Sequence, residues 1–267
     1  MKIAISGKGG VGKTTLAACL SKYFFNAGFK VIAVDADPDS NLASGLGIDP
    51  ITASKIIPLV EMSKLIEERT GSVKGEYGGY FKLNPKVDDI PDNFSINAGG
   101  IKLLIAGTVK AGGSGCYCPE NTFLKRLFRF LVVESKEIVI LDMEAGIEHL
   151  GRGTTENMDA LIIVVEPGQR SIHTAISIKK LASEIGIKNI FTVINKLKNK
   201  AEEEAIKHNL DGIVVVGTIP YLDAIRDADL YGISPCENNE DLKDSINKIA
   251  SNLQKQIHDN KKYKSDE

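Results

Sequence analysis

The chain has 267 residues, 43% hydrophobic and 25% charged, with 33 Lys and Arg against 35 Asp and Glu for a net charge of −2. That composition supports a full core and excludes a global basic field able to recruit nucleic acid or an anionic membrane. No apolar run approaches the roughly 20 residues that cross a bilayer; strand pattern starts too early for a secretory leader; and cysteines at 19, 116, 118 and 236 are too few and uneven for a disulfide framework. The expectation is a cytoplasmic protein with no nucleic-acid or membrane partner.

Ile3–Ile5 reads as a strand and Leu16–Ala27 as a helix. Between them Gly7-Lys8-Gly9-Gly10-Val11-Gly12-Lys13-Thr14, followed by Thr15, fits G-x-x-x-x-G-K-[ST], a phosphate-binding loop. Glycines let successive backbone N–H groups turn around phosphate oxygens, and the helix start adds its positive dipole end. Lys13 is placed to reach the β- and γ-phosphates, and the Thr14 hydroxyl to ligate Mg²⁺. Lys8 is unusual so close to the first glycine. A cation there is poorly placed to curl into its own loop but can reach phosphates of a neighbouring molecule.

Strands then alternate with helices. Lys30–Asp35 is a second strand, running into Asp35-Ala36-Asp37. Residues 51–93 read as a helix followed by an irregular insertion with Pro85 and Pro91. Lys102–Ala106 is a short strand, and a glycine-rich stretch ending in Cys116-Tyr117-Cys118-Pro119 leads into a helix near Glu120–Glu134. Glu137–Leu141, Ala160–Val165, Ile190–Ile194 and Ile213–Thr218 are further strands, with a helix over Ser171–Ile185. Uninterrupted apolar runs indicate strands covered on both faces, as in a parallel sheet. The predicted fold is a single α/β domain over 1–267, a doubly wound, mainly parallel sheet flanked by helices. Leu242, Ile246, Ile249, Leu253 and Ile257 form a helical stripe in 240–267 that fits packing on the domain, followed by a charged tail.

Ligands of doubly wound sheets bind beyond the carboxyl ends of strands. Asp35 and Asp37 lie there; a carboxylate so placed can orient water for attack on a γ-phosphate, and Asp35 is expected near the Mg²⁺ shell. Asp142 ends an apolar strand, as a carboxylate holding Mg²⁺ directly or through water would. Met143–His149 follows it. Asn195 ends another strand, and Gly217-Thr218-Ile219-Pro220-Tyr221 spans the end of the last. Cys116 and Cys118 are two apart, so in extended backbone both sulfurs point one way. Pro119 is a good first helical residue, which puts Cys118 at a helix N-cap, where a thiol pKa falls toward metal-binding thiolate. Two thiolates do not close a four-coordinate site. A two-fold axis would supply four, a set that suits Zn²⁺ or square-planar Ni²⁺.

Residues 8–15 resemble the deviant Walker A motif of the dimerising ATPases that include MinD, ParA and the nitrogenase iron protein. Together with Asp37, Cys-x-Cys before a helix and Asp-Met-Glu-Ala-Gly-Ile-Glu-His-Leu-Gly-Arg-Gly at 142–153, about 1–235 of the chain is similar to CooC. That family comprises ATPases that mature carbon monoxide dehydrogenase by delivering nickel to its active-site cluster. The resemblance implies a homodimeric ATPase in which Lys8 contacts nucleotide across the interface and Asp37 is the hydrolytic residue of switch I. It further implies that Met143–His149 is switch II, that Asn195 and Pro220 line the adenine pocket, and that Cys116 and Cys118 hold nickel or zinc between subunits. A nitrogenase-type reductase would need a cysteine after switch II, and 143–155 has none. A MinD- or ParA-like positioning ATPase is the alternative. Cys19 reads as a small apolar residue of the first helix, Cys236 has no assigned role, and His149 reads as structural.

Overall fold

In this computed structural model the described residues are 1–37, 41–72, 80–107, 118–144, 155, 157–210, 212–237 and 239–265. The uninterrupted apolar runs become strands buried at every position. These are β1 (Lys2–Gly7), β2 (Val31–Ala36), β5 (Ile138–Met143) and β6 (Ala160–Val165). They are joined by β3 (Ile96–Ala98), β4 (Ile101–Ile105), β7 (Ile190–Leu197) and β8 (Val214–Pro220). Among the described residues these form one eight-stranded sheet, ordered β3-β4-β2-β5-β1-β6-β7-β8. Every pairing is parallel except β3 with β4. The order reverses at β1, which lies between β5 and β6, so the crevice for a ligand opens where β1 ends.

Both faces are covered. On one, α1 (Lys13–Asn26) and α10 (Glu240–Ser265) pack Leu16, Leu20 and Phe24 with Leu242, Ile246, Ile249 and Leu253 against Ile3, Ile5 and Val216. The stripe from Leu242 to Ile257 is thus buried, and Gly217 in β8 lets α10 approach, since a Cβ there would strike Ile249. On the other face, α6 (Pro119–Arg129) and α7 (Gln169–Glu184) bury Phe123, Leu127, Ile172 and Ile178. A five-residue π-helical stretch, Phe130–Glu134, prolongs α6.

Several elements escape a pattern reading. β3 makes a short antiparallel hairpin with β4, and its three residues are too few for a period. Part of 51–93, read as irregular, is ordered: a 3-10 turn at Leu59–Glu61, α4 (Ser63–Thr70) and α5 (Ile90–Asn93) bury Leu59, Leu65, Ile66 and Ile90 in the core that α6 also fills. The four-residue α2 (Leu42–Gly45) and α3 (Pro50–Ala53), with α8 (Lys200–Asn209) and α9 (Asp223–Tyr231), bury few residues each and so carry little hydrophobic signal.

The cysteine reading is corrected. Cys19 and Cys236 form a disulfide across 217 residues of sequence, with Cα atoms 5.4 Å apart. Spacing rules detect near neighbours; this pair meets only because α1 and the segment after α9 are brought together by the sheet. Lys22 of α1 is fastened to the same segment, donating to Glu237 at 2.5 Å and to Ser234 at 2.9 Å.

Candidate functional site

The loop from β1 to α1 is shaped by its glycines. Gly10 and Gly12 take φ of 78° and 96°, the left-handed region where a side chain is strained. A Cβ on Gly12 would also collide with the Asn195 amide. Gly12 caps α1, so Lys13 is the first helical residue and is 6% exposed. The loop amides therefore gather at a helix start, beside a buried ammonium, an arrangement suited to phosphate.

Facing this loop, parallel register sets Asp35 of β2 directly beside Asp142 of β5, and both are fully buried. Their environments differ. Asp35 accepts hydrogen bonds from the backbone N–H of Asp37 at 3.2 Å and of Leu42 at 2.9 Å. Burial pushes its pKa up to about 6, and those N–H groups oppose the rise. Neither oxygen of Asp142 meets a hydrogen-bond partner among the described residues. Burial, reinforced by the Asp35 charge, pushes its pKa up to about 7; the nearby Thr14 hydroxyl and Lys13 charge offset part of this without a donor reaching hydrogen-bonding geometry. An orphaned buried carboxylate beside a threonine hydroxyl fits a hard divalent cation with oxygen ligands. Asp37 stands apart, its Oδ2 3.5 Å from Lys13 Nζ. The ammonium that faces the loop amides thus also faces the Asp37 carboxylate.

A cavity of about 990 Å³ opens over these groups, lined by Gly9, Lys13, Thr15, Asp37, Asn195 and Pro220 among others. The structure thus brings the phosphate-loop candidates and the adenine-pocket candidates to one cleft. Asn195, 4% exposed, is tied into it: Nδ2 donates to the Val11 carbonyl at 2.8 Å and Oδ1 accepts from the Lys196 N–H at 2.9 Å. One Nδ2 hydrogen is left by these bonds, so the residue braces the loop as well as facing the cleft.

Two functional candidates were missed from sequence. Lys196 is the one non-glycine with positive φ among the described residues, at 60°, a conformation costing roughly 1–2 kcal/mol. It spans back to the loop, its Nζ donating to the Gly10 carbonyl at 2.6 Å and to Glu166 Oε2 at 2.8 Å. Glu166, just past β6, also lies 3.6 Å from Lys8 Nζ through Oε1. The strand-end rule that selects Asp142 and Asn195 selects position 166 equally, had it been applied to β6.

Cys118 is the N-cap of α6, with extended backbone and Pro119 following, and is half-buried. Cys116 lies outside the described residues, as do 145–149 of the expected switch II, so the Cys-x-Cys pair and His149 have no described geometry. Among the described residues no three His, Cys, Asp or Glu side chains gather as a metal site, and no helix is long and apolar enough to cross a membrane.

Residues 2–235 match the family described as CobQ/CobB/MinD/ParA nucleotide binding domain. The carbon monoxide dehydrogenase accessory protein CooC of Rhodospirillum rubrum is 44% identical over 257 residues, covering 96% of this chain and 97% of that one. An uncharacterized ATP-binding protein of Methanocaldococcus jannaschii is 47% identical over 235 residues, covering 87% and 90%. Among solved structures, the MinD cell division protein of Aquifex aeolicus superposes with a TM-score of 0.66 at 20% identity, over 95% of this chain and 97% of that one. MinD from Pyrococcus horikoshii complexed with Mg-ADP gives 0.65 at 21% identity, over 96% of each chain. At such identities these two show the shared fold.

Proposed function

Because the chain belongs to the CobQ/CobB/MinD/ParA nucleotide-binding family, as an ATPase of the CooC type, we propose that it closes as a homodimer around ATP and delivers nickel to a carbon monoxide dehydrogenase. The reaction is hydrolysis of ATP to ADP and phosphate: the bond from the γ-phosphorus to the bridging oxygen breaks and one to a water oxygen forms.

Phosphoryl transfer asks mainly for positioning and charge neutralisation. The amides of Gly9, Gly10, Val11 and Gly12 and the Lys13 ammonium cradle the β- and γ-phosphates, with Thr15 at the α-phosphate end. Thr14 and Asp142 are the residues that would hold Mg²⁺, which when bound neutralises charge developing on phosphate oxygens. Phosphate competing for Lys13 releases Asp37 from its 3.5 Å ion pair, and Asp37 then orients the attacking water. Asn195 and Pro220 flank the base. Lys8, at the loop's outer edge with 40% of its side chain exposed, reaches the partner's nucleotide.

The observation that carries the metal reading is Cys118 at the N-cap of an eleven-residue helix. There the amides and dipole favour thiolate, the form that binds nickel or zinc. Cys116, two residues earlier, supplies the second sulfur, and a two-fold axis doubles the pair to the four that a tetrahedral or square-planar ion takes. Nickel is cargo here, taken up by the closed dimer and released on hydrolysis.

Equilibrium dialysis against nickel, with dimer mass measured in ADP and ATP, tests this. About one metal per two chains is expected for the native protein, and loss of tight binding for Cys116→Ser with Cys118→Ser. Unchanged nickel affinity in that variant overturns the shared-site reading. Absence of tight metal binding in every nucleotide state turns attention to a positioning ATPase, examined next with liposomes and DNA.

A further inference from the structure

Before Lys8 can act on a second subunit's nucleotide, it rests against its own subunit. An unrestrained ammonium at the cleft edge would lie among like charges, since Lys13 and Lys196 flank the same loop. Glu166 answers for two of the three. Its carboxylate accepts from Lys196 Nζ at 2.8 Å through Oε2 and pairs with Lys8 Nζ at 3.6 Å through Oε1. The acid is itself well held: its backbone N–H donates to Ser171 Oγ at 3.1 Å, and Ser171 is a buried residue in the first turn of α7. Lys196 in turn is anchored at 2.6 Å to the Gly10 carbonyl. A fixed chain of contacts thus runs from the start of α7 through Glu166 to Lys196 and the phosphate loop, and Lys8 is its detachable end. The two ammonium groups are equally exposed, and the arm to Lys8, 3.6 Å against 2.8 Å, is the longer and so the weaker of the two, and it yields first.

We propose that Glu166 is a positioning residue that holds Lys8 against its own subunit and gives it up when polyphosphate on a second copy competes for the ammonium. Glu166 then remains on Lys196, keeping the loop braced while Lys8 crosses. The acid thereby sets how readily nucleotide-loaded subunits close. This rests on Lys8 acting in trans, so the experiment tests that premise separately.

Dimer dissociation constants are measured by sedimentation with a non-hydrolysable ATP analogue for native protein, Glu166→Gln, Lys8→Met and the double variant. Glutamine keeps an oxygen for Lys196 and removes the charge that restrains Lys8. The expected result is dimerisation tighter by roughly two- to fivefold for Glu166→Gln, the range for a partly exposed pair, weaker dimerisation for Lys8→Met, and no effect of Glu166→Gln in the Lys8→Met background. Thermal unfolding confirms that each variant folds; if Glu166→Gln does not, Glu166→Asp, which keeps the charge but shortens its reach, is expected to tighten the dimer less. Native-like dimerisation of Lys8→Met overturns the trans premise and the restraint with it. Weak dimerisation of Lys8→Met, with Glu166→Gln unchanged or equally effective in both backgrounds, overturns the restraint alone, showing that Glu166 acts through Lys196 or not at all.

Discussion

At the phosphate end of the cleft, Asp35, Asp142 and Lys13 are nearly sealed from solvent, the two carboxylates on neighbouring strands and the lysine at the start of α1. At the far end Tyr221, Leu230, Tyr231 and Ile233 are 43%, 74%, 73% and 55% exposed, on segments after β8 and around α9. The first end holds charge where burial disfavours it. Asp142 finds no donor among the described residues, a deficit that a bound ligand can restore. The second offers apolar surface that needs nothing restored, and its geometry depends on fasteners away from the phosphate loop. Those are the Cys19–Cys236 disulfide, Lys22 on Glu237 and Ser234, and Ser234 Oγ on the Gly45 carbonyl at 2.7 Å. Binding energy is therefore expected at the sealed end and placement at the open one.

The largest effect should come from breaking the sealed end. Lys13→Ala is expected to weaken ATP binding on the order of a hundredfold, the loss typical of a charge-assisted contact to phosphate in a desolvated site. Tyr221→Ala at the open end should weaken it only a few-fold, as removal of a half-exposed ring implies. Calorimetric titration of both variants with ATP reads the contrast. Comparable losses would show that the two ends share the work.

Reducing the Cys19–Cys236 disulfide addresses the fasteners. It closes a very long loop, 217 residues apart in sequence, and bonds of this kind stabilise by about 2–4 kcal/mol. A dithiol reductant should lower the melting temperature on the order of 5–10 °C, and Cys236→Ser should match the reduced protein without reductant. An unchanged melting temperature in both would mean that the α1 face is held by Leu242, Ile246, Ile249 and Leu253 alone.

The same contrast explains what could be read from sequence. The phosphate end was legible because its chemistry is local: eight consecutive residues give the loop, and two apolar strands each end in a carboxylate at Asp35 and Asp142. The core strands were legible for the same reason. The open end was not. Asn195 was flagged by its place at a strand end, but its hold on the Val11 carbonyl spans 184 residues, a distance no spacing rule covers. Glu166 is open to the strand-end rule, but its pairing with Lys196 is not, because a lysine and a glutamate are unremarkable until the sheet places them 2.8 Å apart. Cys19 reads as apolar because it lies in the first helix beside Leu16 and Leu20, and its burial there goes with its bond to Cys236. Cys118 lies between the cases, its N-cap position announced by Pro119.

The smallest effect concerns the unpartnered carboxylate, and its sign is fixed by linkage. Burial raises the folded-state pKa of Asp142 to about 7 from an ordinary value of 3.8. A raised acid binds its proton more tightly in the folded state, so metal-free protein gains stability from that proton at low pH. The gain is lost as pH rises from about 4 through 7, and beyond 7 the folded state carries a buried charge that no donor among the described residues meets. Asp35, raised to about 6, contributes with the same sign over a lower window. Asp142→Asn keeps the shape and removes the charge. It should leave the melting temperature near pH 4.5 almost unchanged and raise it near pH 8 by a few degrees, roughly 1–2 kcal/mol, since a shift of one unit corresponds to about 1.4 kcal/mol and relaxation at the site absorbs part of the full shift. The same substitution should abolish the stabilisation that Mg²⁺ with nucleotide gives the native protein at pH 8. Stabilisation at acidic and alkaline pH alike would trace the effect to packing instead of charge; lowered stability at pH 8 would mean that the folded protein supplies a donor to the ionised carboxylate, and the sealed end would then not depend on its ligand for balance.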